Sequence, residues 1–486
     1  MNTQERIISR FLDYVKIDSE TGDEAAIAQR LAVDLERLGC CVTTDCIQET
    51  AKTSGSNVYA VRQGDPKLAP ILFSAHMDTV APGKGIQPVA GADGYLYSNG
   101  TTVLGGDDKA GICAIMEALE RTAGDHCRTV EVVFTVREES GMLGSKHLDY
   151  SRLQSKKCVV LDSDGGPEKV IVGAPGQNKI YAEIFGKKAH AGLEPEKGVS
   201  AIQAAAHGVA AMELLRIDEE TTCNIGTFLA DGPTNIVAEK ARLVLEVRSR
   251  SAEKLERQTS QMVHCLERAC ESFGAVLSCQ VETSYPGYQH DPDSELVRQV
   301  FAAVRKNGLD PDPAVSGGGS DANVFNQHGI AAVAIGVGME RVHTNQERLC
   351  IRDMLRAAEV CADLIRGECR DHSDQGGREC RSGLRSAVFP QARCFGGCFK
   401  FSAGACSGGP DRSRLQSAGR RSQQPVQYGR NEKDSGTETI EGFKNFSLTA
   451  ERFYAIIIKR LQTGSRQQTG RSGGIGRRPG LKIPWE

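Results

Sequence analysis

The sequence predicts an α/β protein in which a mostly parallel sheet is covered by helices and interrupted by a smaller inserted α+β unit. Three observations lead to this. Short apolar runs that read as strands alternate with amphipathic helical stretches up to residue 176, the pattern of a parallel sheet whose crossovers are helices. Over 177–284 the order changes to β-α-β-β-α-β, a compact ferredoxin-like arrangement. The first style then resumes over 285–366.

Each element has its own warrant. Ile7, Ile8, Phe11, Leu12 and Val15 share one stripe of a helix over 4–16, and Ile27, Leu31, Leu35 and Leu38 do the same over 23–39, with Gly39 as its stop. Strand-like runs follow at 57–62 and 70–75. A helix fits 108–121 with Ile112, Ile115, Met116 and Leu119 inward, and buried strands fit 130–136 and 157–161. In the insert, strand 179–185 leads to an Ala-rich helix over 199–216, strands near 223–229 and 235–248, helix 252–273 and strand 275–283. Beyond Tyr285-Pro286-Gly287 come helix 294–307, a Gly-rich loop at 316–320, strand 331–337 and helix 351–366.

After Ile365 the character changes abruptly. Residues 367–486 are rich in Gly, Arg, Ser and Gln, with little periodicity before an apolar patch at 453–461. Such a composition buries too little apolar surface to fold well. A disordered extension is expected there, and the abruptness points to a shifted reading frame or read-through as its origin.

The bulk composition narrows the function. The chain has 486 residues, a soft prior for two or three domains, with 40% apolar and 25% charged residues, as in soluble globular proteins. A formal charge of −3 makes no case for a nucleic-acid or membrane partner. No apolar signal core follows Met1-Asn2-Thr3 and no apolar run is long enough to span a bilayer, so a cytoplasmic protein is expected. The 17 cysteines are odd in number and scattered, which suits free, mostly buried thiols. A redox protein would rest on that count alone, and Cys380, Cys394, Cys398 and Cys406 lack the tight paired spacing of a structural zinc site.

Five separated positions place a His or a carboxylate at a strand end or in the following loop, where open α/β sheets put their sites. In Phe73-Ser74-Ala75-His76-Met77-Asp78-Thr79, His76 leaves a buried strand and Asp78 stands two residues on, as a metal-bound imidazole and its orienting carboxylate would. In Leu104-Gly105-Gly106-Asp107-Asp108-Lys109-Ala110-Gly111 two acids open a helix; they suit the helix dipole, and one of them suits a bridge between two metals. Arg137-Glu138-Glu139-Ser140-Gly141 offers one acid to ligate and one to handle protons. Val160-Leu161-Asp162-Ser163-Asp164-Gly165 offers two acids that would also make a turn, and Val342-His343-Thr344-Asn345-Gln346-Glu347 a single loop histidine. Each is ordinary alone. Together, several oxygen ligands and two imidazoles suit a pair of zinc ions, or cobalt or manganese, each with a position left for water.

These motifs, in order and spacing over residues 5–366, resemble the zinc peptidases that include peptidase T, carboxypeptidase G, aminoacylases and acetylornithine deacetylase. The resemblance implies a zinc-bearing α/β domain (1–176 and 285–366) and an inserted lid (177–284) that dimerises in many members. It implies that His76 and Asp162 hold one zinc, that Glu139 and His343 hold the other, and that Asp107 bridges them through a turn with a cis peptide bond to Asp108. Asp162 is favoured over Asp164 as the ligand because it directly ends its strand. Asp78 would orient His76, and Glu138 would be the general base. In the lid, Lys188-Ala189-His190-Ala191-Gly192 carries a histidine that helps hold the oxyanion in the family, often across a dimer. Asn235 and Arg248 match substrate-binding positions, and Gly318 lies in Ser316-Gly317-Gly318-Gly319-Ser320-Asp321, which resembles a loop offering backbone N–H groups. The segments 105–111 and 162–165 look more like peptidase T than like the deacetylases, which implies release of the N-terminal residue from tripeptides. A dipeptidase or an N-acyl-amino-acid hydrolase is the alternative within the family. A non-catalytic metal- or peptide-binding relative is the alternative from another class.

Overall fold

The computed structural model describes residues 2–367, so the expectations for the tail beyond Gly367 lie outside the described residues. The centre of the larger sheet is four parallel strands in the order Val130–Thr135, Ile71–His76, Lys157–Asp164 and Ala331–Glu340. Antiparallel strands extend it on both sides, Val58–Arg62 and Cys41–Thr44 on one, Arg348–Cys350, Tyr95–Tyr97 and Val89–Ala90 on the other. The four central strands are thus parallel where the sheet is buried on both faces; Lys169–Ala174 joins Ala331–Glu340 antiparallel and carries Asp312–Val315 parallel at its outer side.

All of Val130–Thr135 is buried. Val130, Val132 and Phe134 belong to one core with Phe11, Ile115 and Leu364, while Val133 belongs to another with Leu72, Val160 and Phe325. Burying each such side chain contributes about 1.5–3 kcal/mol. Helices Thr3–Val15, Gly106–Arg121 and Ile351–Arg366 pack on one another over the first core. The first of them starts where Asn2 caps it: Asn2 Oδ1 accepts from the Glu5 N–H at 2.8 Å while Glu5 returns a bond to the Asn2 N–H at 3.0 Å. Where these helices meet, Glu117 is wholly buried and held by Arg6 at 2.5 Å, Arg10 at 3.2 Å and Arg121 at 3.3 Å.

The second sheet is antiparallel and five-stranded, in the order Leu215–Arg216, Thr221–Leu229, Lys240–Ser249, Gly176–Phe185, Val276–Tyr285. Helices Ala201–Ala210 and Ala252–Phe273 cover one face, over a separate core that includes Ile180, Ala182, Ile184, Leu243, Leu245, Val247, Met262 and Leu266. The chain leaves the large sheet after Lys169–Ala174 and returns at Tyr288–Gln289, and these two strands pair with each other. Gly176 and Gly287 make the crossing possible: a Cβ on either would lie 2.8 Å from the backbone nitrogen of the other.

Several boundaries differ from the sequence pattern. The helix expected over 199–216 ends at Ala210, and Leu215–Arg216 pairs with Thr222 and Cys223 instead. Apolar spacing continues past the helix end, so only the cross-strand partner distinguishes the two states. The strand expected over 235–248 begins at Lys240, because Asn235 and Val237 instead bond with the backbone of Ala191 and Ala189. The strand bearing Asp162 runs on to Asp164. Among the described residues no helix is long and apolar enough to cross a membrane.

Glu117→Ala should leave three arginines crowded without their shared carboxylate. A loss of about 3 kcal/mol is expected in urea unfolding, since breaking a buried pair from one side is strongly destabilising.

Candidate metal centre

The carboxyl ends of the four central parallel strands meet at one place, and each delivers a functional side chain there. His76 is the last residue of Ile71–His76 and is buried. Its Nε2 lies 2.9 Å from Asp107 Oδ1 and 3.9 Å from Asp162 Oδ1. Asp107 turns its other oxygen, Oδ2, to His343 Nε2 at 3.1 Å, and the same nitrogen lies 2.9 Å from Glu139 Oε1. One carboxylate therefore sits between two imidazoles, with a further acid beside each. The peptide between Asp107 and Asp108 is cis.

Glu139 Oε1 is buried yet makes no well-formed hydrogen bond despite its closeness to His343. Two atoms placed side by side and not aimed at one another are arranged as co-ligands are. Two sets of ligand atoms lie close enough to share an ion, His76 with Asp107 and Glu139, and His76 with Asp108 and Asp162. In the second set Asp108 already accepts the N–H groups of His76 at 3.2 Å and Gly111 at 3.1 Å, whereas the Asp162 carboxylate accepts no hydrogen bond among the described residues. The alternative Asp164 is exposed and paired with Lys169 at 2.5 Å. Mixed imidazole and carboxylate donors in a buried site fit divalent cations such as zinc, cobalt or manganese.

The electrostatics of the site favour a bound cation. Burial opposes charge on His76, yet hydrogen bonding to Asp107 and Asp78 outweighs it and raises the imidazole well above its ordinary range. Asp107 and then Glu139 raise His343 to about 10. Asp162 and Glu138 are pushed well above the usual carboxylate range, both by burial first; the negative charge of Asp162 adds to the effect on Glu138. These carboxylates form a strong negative field in a buried place, and a cation is its natural complement.

Asp78 braces the site. The ring Nδ1 of His76 lies 3.5 Å from Asp78 Oδ1 and 3.0 Å from the Asp78 carbonyl. The same carboxylate accepts the N–H groups of Glu138 at 2.9 Å and Glu139 at 3.3 Å, and the Thr21 hydroxyl at 2.8 Å. It thus ties the histidine strand to the Glu138-Glu139 loop. Arg137 fixes that loop from behind, donating to the carbonyls of Ala51 at 2.9 Å and Lys52 at 2.8 Å. Gly111 lets the helix reach the strand of Asp162, since a Cβ there would lie 2.2 Å from the Leu161 carbonyl.

Two further acids lie within the sequence motifs without a role of their own there. Glu347 is buried and accepts the N–H groups of Leu104 at 2.6 Å, Gly105 at 2.9 Å and Asp107 at 3.0 Å, fixing the turn that presents Asp107. Asp321 is buried and accepts the hydroxyls of Thr135 at 2.6 Å and Ser145 at 2.5 Å. Their signal in the sequence is faint: each is the last residue of a motif, and nothing local says it will be buried.

The site opens into a cavity of about 520 Å³ lined by His76, Asp107, Glu138, Glu139, Asp162 and His343, and by Arg248 and Gly318 from the substrate candidates. His190 and Asn235 are exposed and do not line it. His190 instead bridges to Ile236, and its Nδ1 accepts the N–H groups of Gly192 and Leu193.

The fold and this donor cluster define a metallopeptidase. The chain belongs to peptidase family M20/M25/M40, whose model matches residues 72–367. Uncharacterized protein YqjE of Bacillus subtilis is 40% identical over 367 residues, covering 75% of this chain and 99% of that protein. The crystal structure of aminopeptidase PepT from Bacillus cereus matches with a TM-score of 0.70 at 40% identity, over 75% of this chain and 98% of that one. A tripeptidase structure from Staphylococcus aureus matches with a TM-score of 0.72 at 36% identity and the same coverage.

The two Asp candidates separate by experiment. Asp162→Asn should lower bound metal toward one ion per chain by elemental analysis, while Asp164→Asn should leave the metal content unchanged.

Proposed function

We propose that the chain is a zinc-dependent aminopeptidase that releases the N-terminal residue from tripeptides. The observation that carries this is Asp107 set between His76 and His343, with Glu138 buried at its side in the same cavity. The names of the Bacillus cereus and Staphylococcus aureus structures, an aminopeptidase and a tripeptidase, support the substrate class.

In this reading His76, Asp107 and Asp162 hold one zinc, and Asp107, Glu139 and His343 hold the other. Bound there, the pair supplies a water of lowered pKa and a Lewis acid for the scissile carbonyl. Glu138 takes the proton of the attacking water and later delivers it to the leaving amine. A buried carboxyl whose proton affinity is raised by its surroundings suits both halves of that task. Asp78 keeps His76 and the Glu138 backbone in register. Gly318 offers its backbone to the peptide, and Arg248 helps to line the pocket for it. The antiparallel sheet and its helices act as the lid. His190 and Asn235, which lie away from this chain's cavity, serve the neighbouring site of a homodimer. The reducing cytoplasm is the proposed compartment.

Glu138→Ala should keep its metal and lose at least about a hundredfold in kcat, as removal of a general base does; near-normal turnover in that variant would sink the assignment. Chelation should abolish hydrolysis and lower the unfolding temperature, with both restored by added zinc, because an ion that binds only the folded state stabilises it. Tripeptides with a free N-terminus should be cleaved and their N-acetyl forms refused. Ready cleavage of the acetylated forms would instead favour the acyl-amino-acid hydrolase.

A further inference from the structure

One wall of the cavity comes from the antiparallel sheet, where Gln177, Lys179, Glu246 and Arg248 project from two paired strands. In Gly176–Phe185 the residues Ile180, Ala182 and Ile184 face the helices and the core, so Lys179 lies on the opposite face of its strand. Lys179 and Arg248 are the two lysine or arginine residues of the lining.

Their surroundings differ. Arg248 is matched by Glu246, with Nε at 3.1 Å from Oε1, and the other carboxylate oxygen accepts Gln177 Nε2 at 2.7 Å. Glu246 stands beside Lys179 in the strand register, and Glu282 flanks it on the other side. Glu246 is committed elsewhere, and neither acid forms an ion pair with Lys179 among the described residues. A second ammonium lies close by. Lys146, on the short helix after the Glu138-Glu139 loop, is half-buried; burial lowers its proton affinity, Glu282 raises it, and the like charge of Lys179 lowers it again. Two ammonium groups thus lie by Glu282 at the edge of the site, with Asp321 also acting on Lys146. Such a place has room for one more negative charge.

We propose that Lys179 receives the free C-terminal carboxylate of the peptide, which makes that carboxylate a specificity requirement. The inference rests on the peptidase reading and names the feature of the substrate that the lid side of the cavity selects. A charge-assisted hydrogen bond of this kind orients a short peptide along the cavity without touching the reacting bond.

The test compares trialanine with trialanine amide on the full-length chain. The wild type should prefer the free acid by about ten- to a hundredfold in kcat/KM, the range for a hydrogen bond to a charged group, and mainly through KM. In Lys179→Gln the acid-to-amide ratio should fall toward one, and Lys179→Arg should keep most of it. A wild type without preference, or a Lys179→Gln variant that retains the wild-type ratio, overturns the proposal. If the wild type cleaves neither peptide, the peptidase reading itself has failed, and calorimetry with trialanine then judges Lys179 alone. Weaker binding to Lys179→Gln than to the wild type supports the assignment. Equal binding, or no binding to the wild type, overturns it.

Discussion

Asp78, Asp107, Asp108, Glu138, Asp321 and Glu347 are all buried around one place at the mouth of the large sheet, with Glu139 and Asp162 beside them. Acids do not collect in a protein interior unless something holds each one. Here two kinds of partner do so. Backbone N–H groups hold Asp78, Asp108 and Glu347, and hydroxyls hold Asp321. Of the remaining acids, Asp107, Glu139 and Asp162 face two imidazoles and an open cavity, and Glu138 lines the same cavity. The difference divides the cluster into acids that build the site and acids that can ligate a metal.

That division explains much of the surrounding architecture. The parallel strands bring His76, Glu138-Glu139, Asp162 and the His343 loop to the same edge, because parallel strands all end on one side. The helix Gly106–Arg121 enters from below and presents Asp107 from its first turn. Glu347 holds that turn from the loop which also carries His343, so Asp107 and the second imidazole are mechanically linked. Asp78 performs the same service between the His76 strand and the Glu138-Glu139 loop. The geometry of the candidate ligands thus depends on hydrogen bonds made by carboxylates outside that set.

The inserted sheet brings a different chemistry to the same cavity. Its inward face is apolar and closes over its helices, while its other face carries alternating polar residues, among them Gln177, Lys179, Glu246 and Arg248. Family resemblance points to Arg248; among the described residues Lys179 is the cation of this wall without an ion pair, because Glu246 bonds to Arg248 and Gln177. Which of two neighbouring cations is neutralised depends on the register between strands distant in sequence, and no local pattern carries that information.

The sequence by itself determined the residue types of the candidate site, their order and the β-α-β-β-α-β insert, because apolar periodicity and local motif chemistry are written along the chain. It also showed the Val-rich strand to be central, since only a strand buried on both faces reads that way. The tertiary structure alone decided which acids are neutralised and by what. It set Asp162 against His76 and gave Asp164 to Lys169. It turned Glu347 and Asp321 inward as supports. It ended the Ala-rich helix at Ala210, where a strand partner was available to Leu215–Arg216. The physical reason is the same in each case: burial and pairing are properties of what folds against a residue, and those neighbours lie tens to hundreds of positions away.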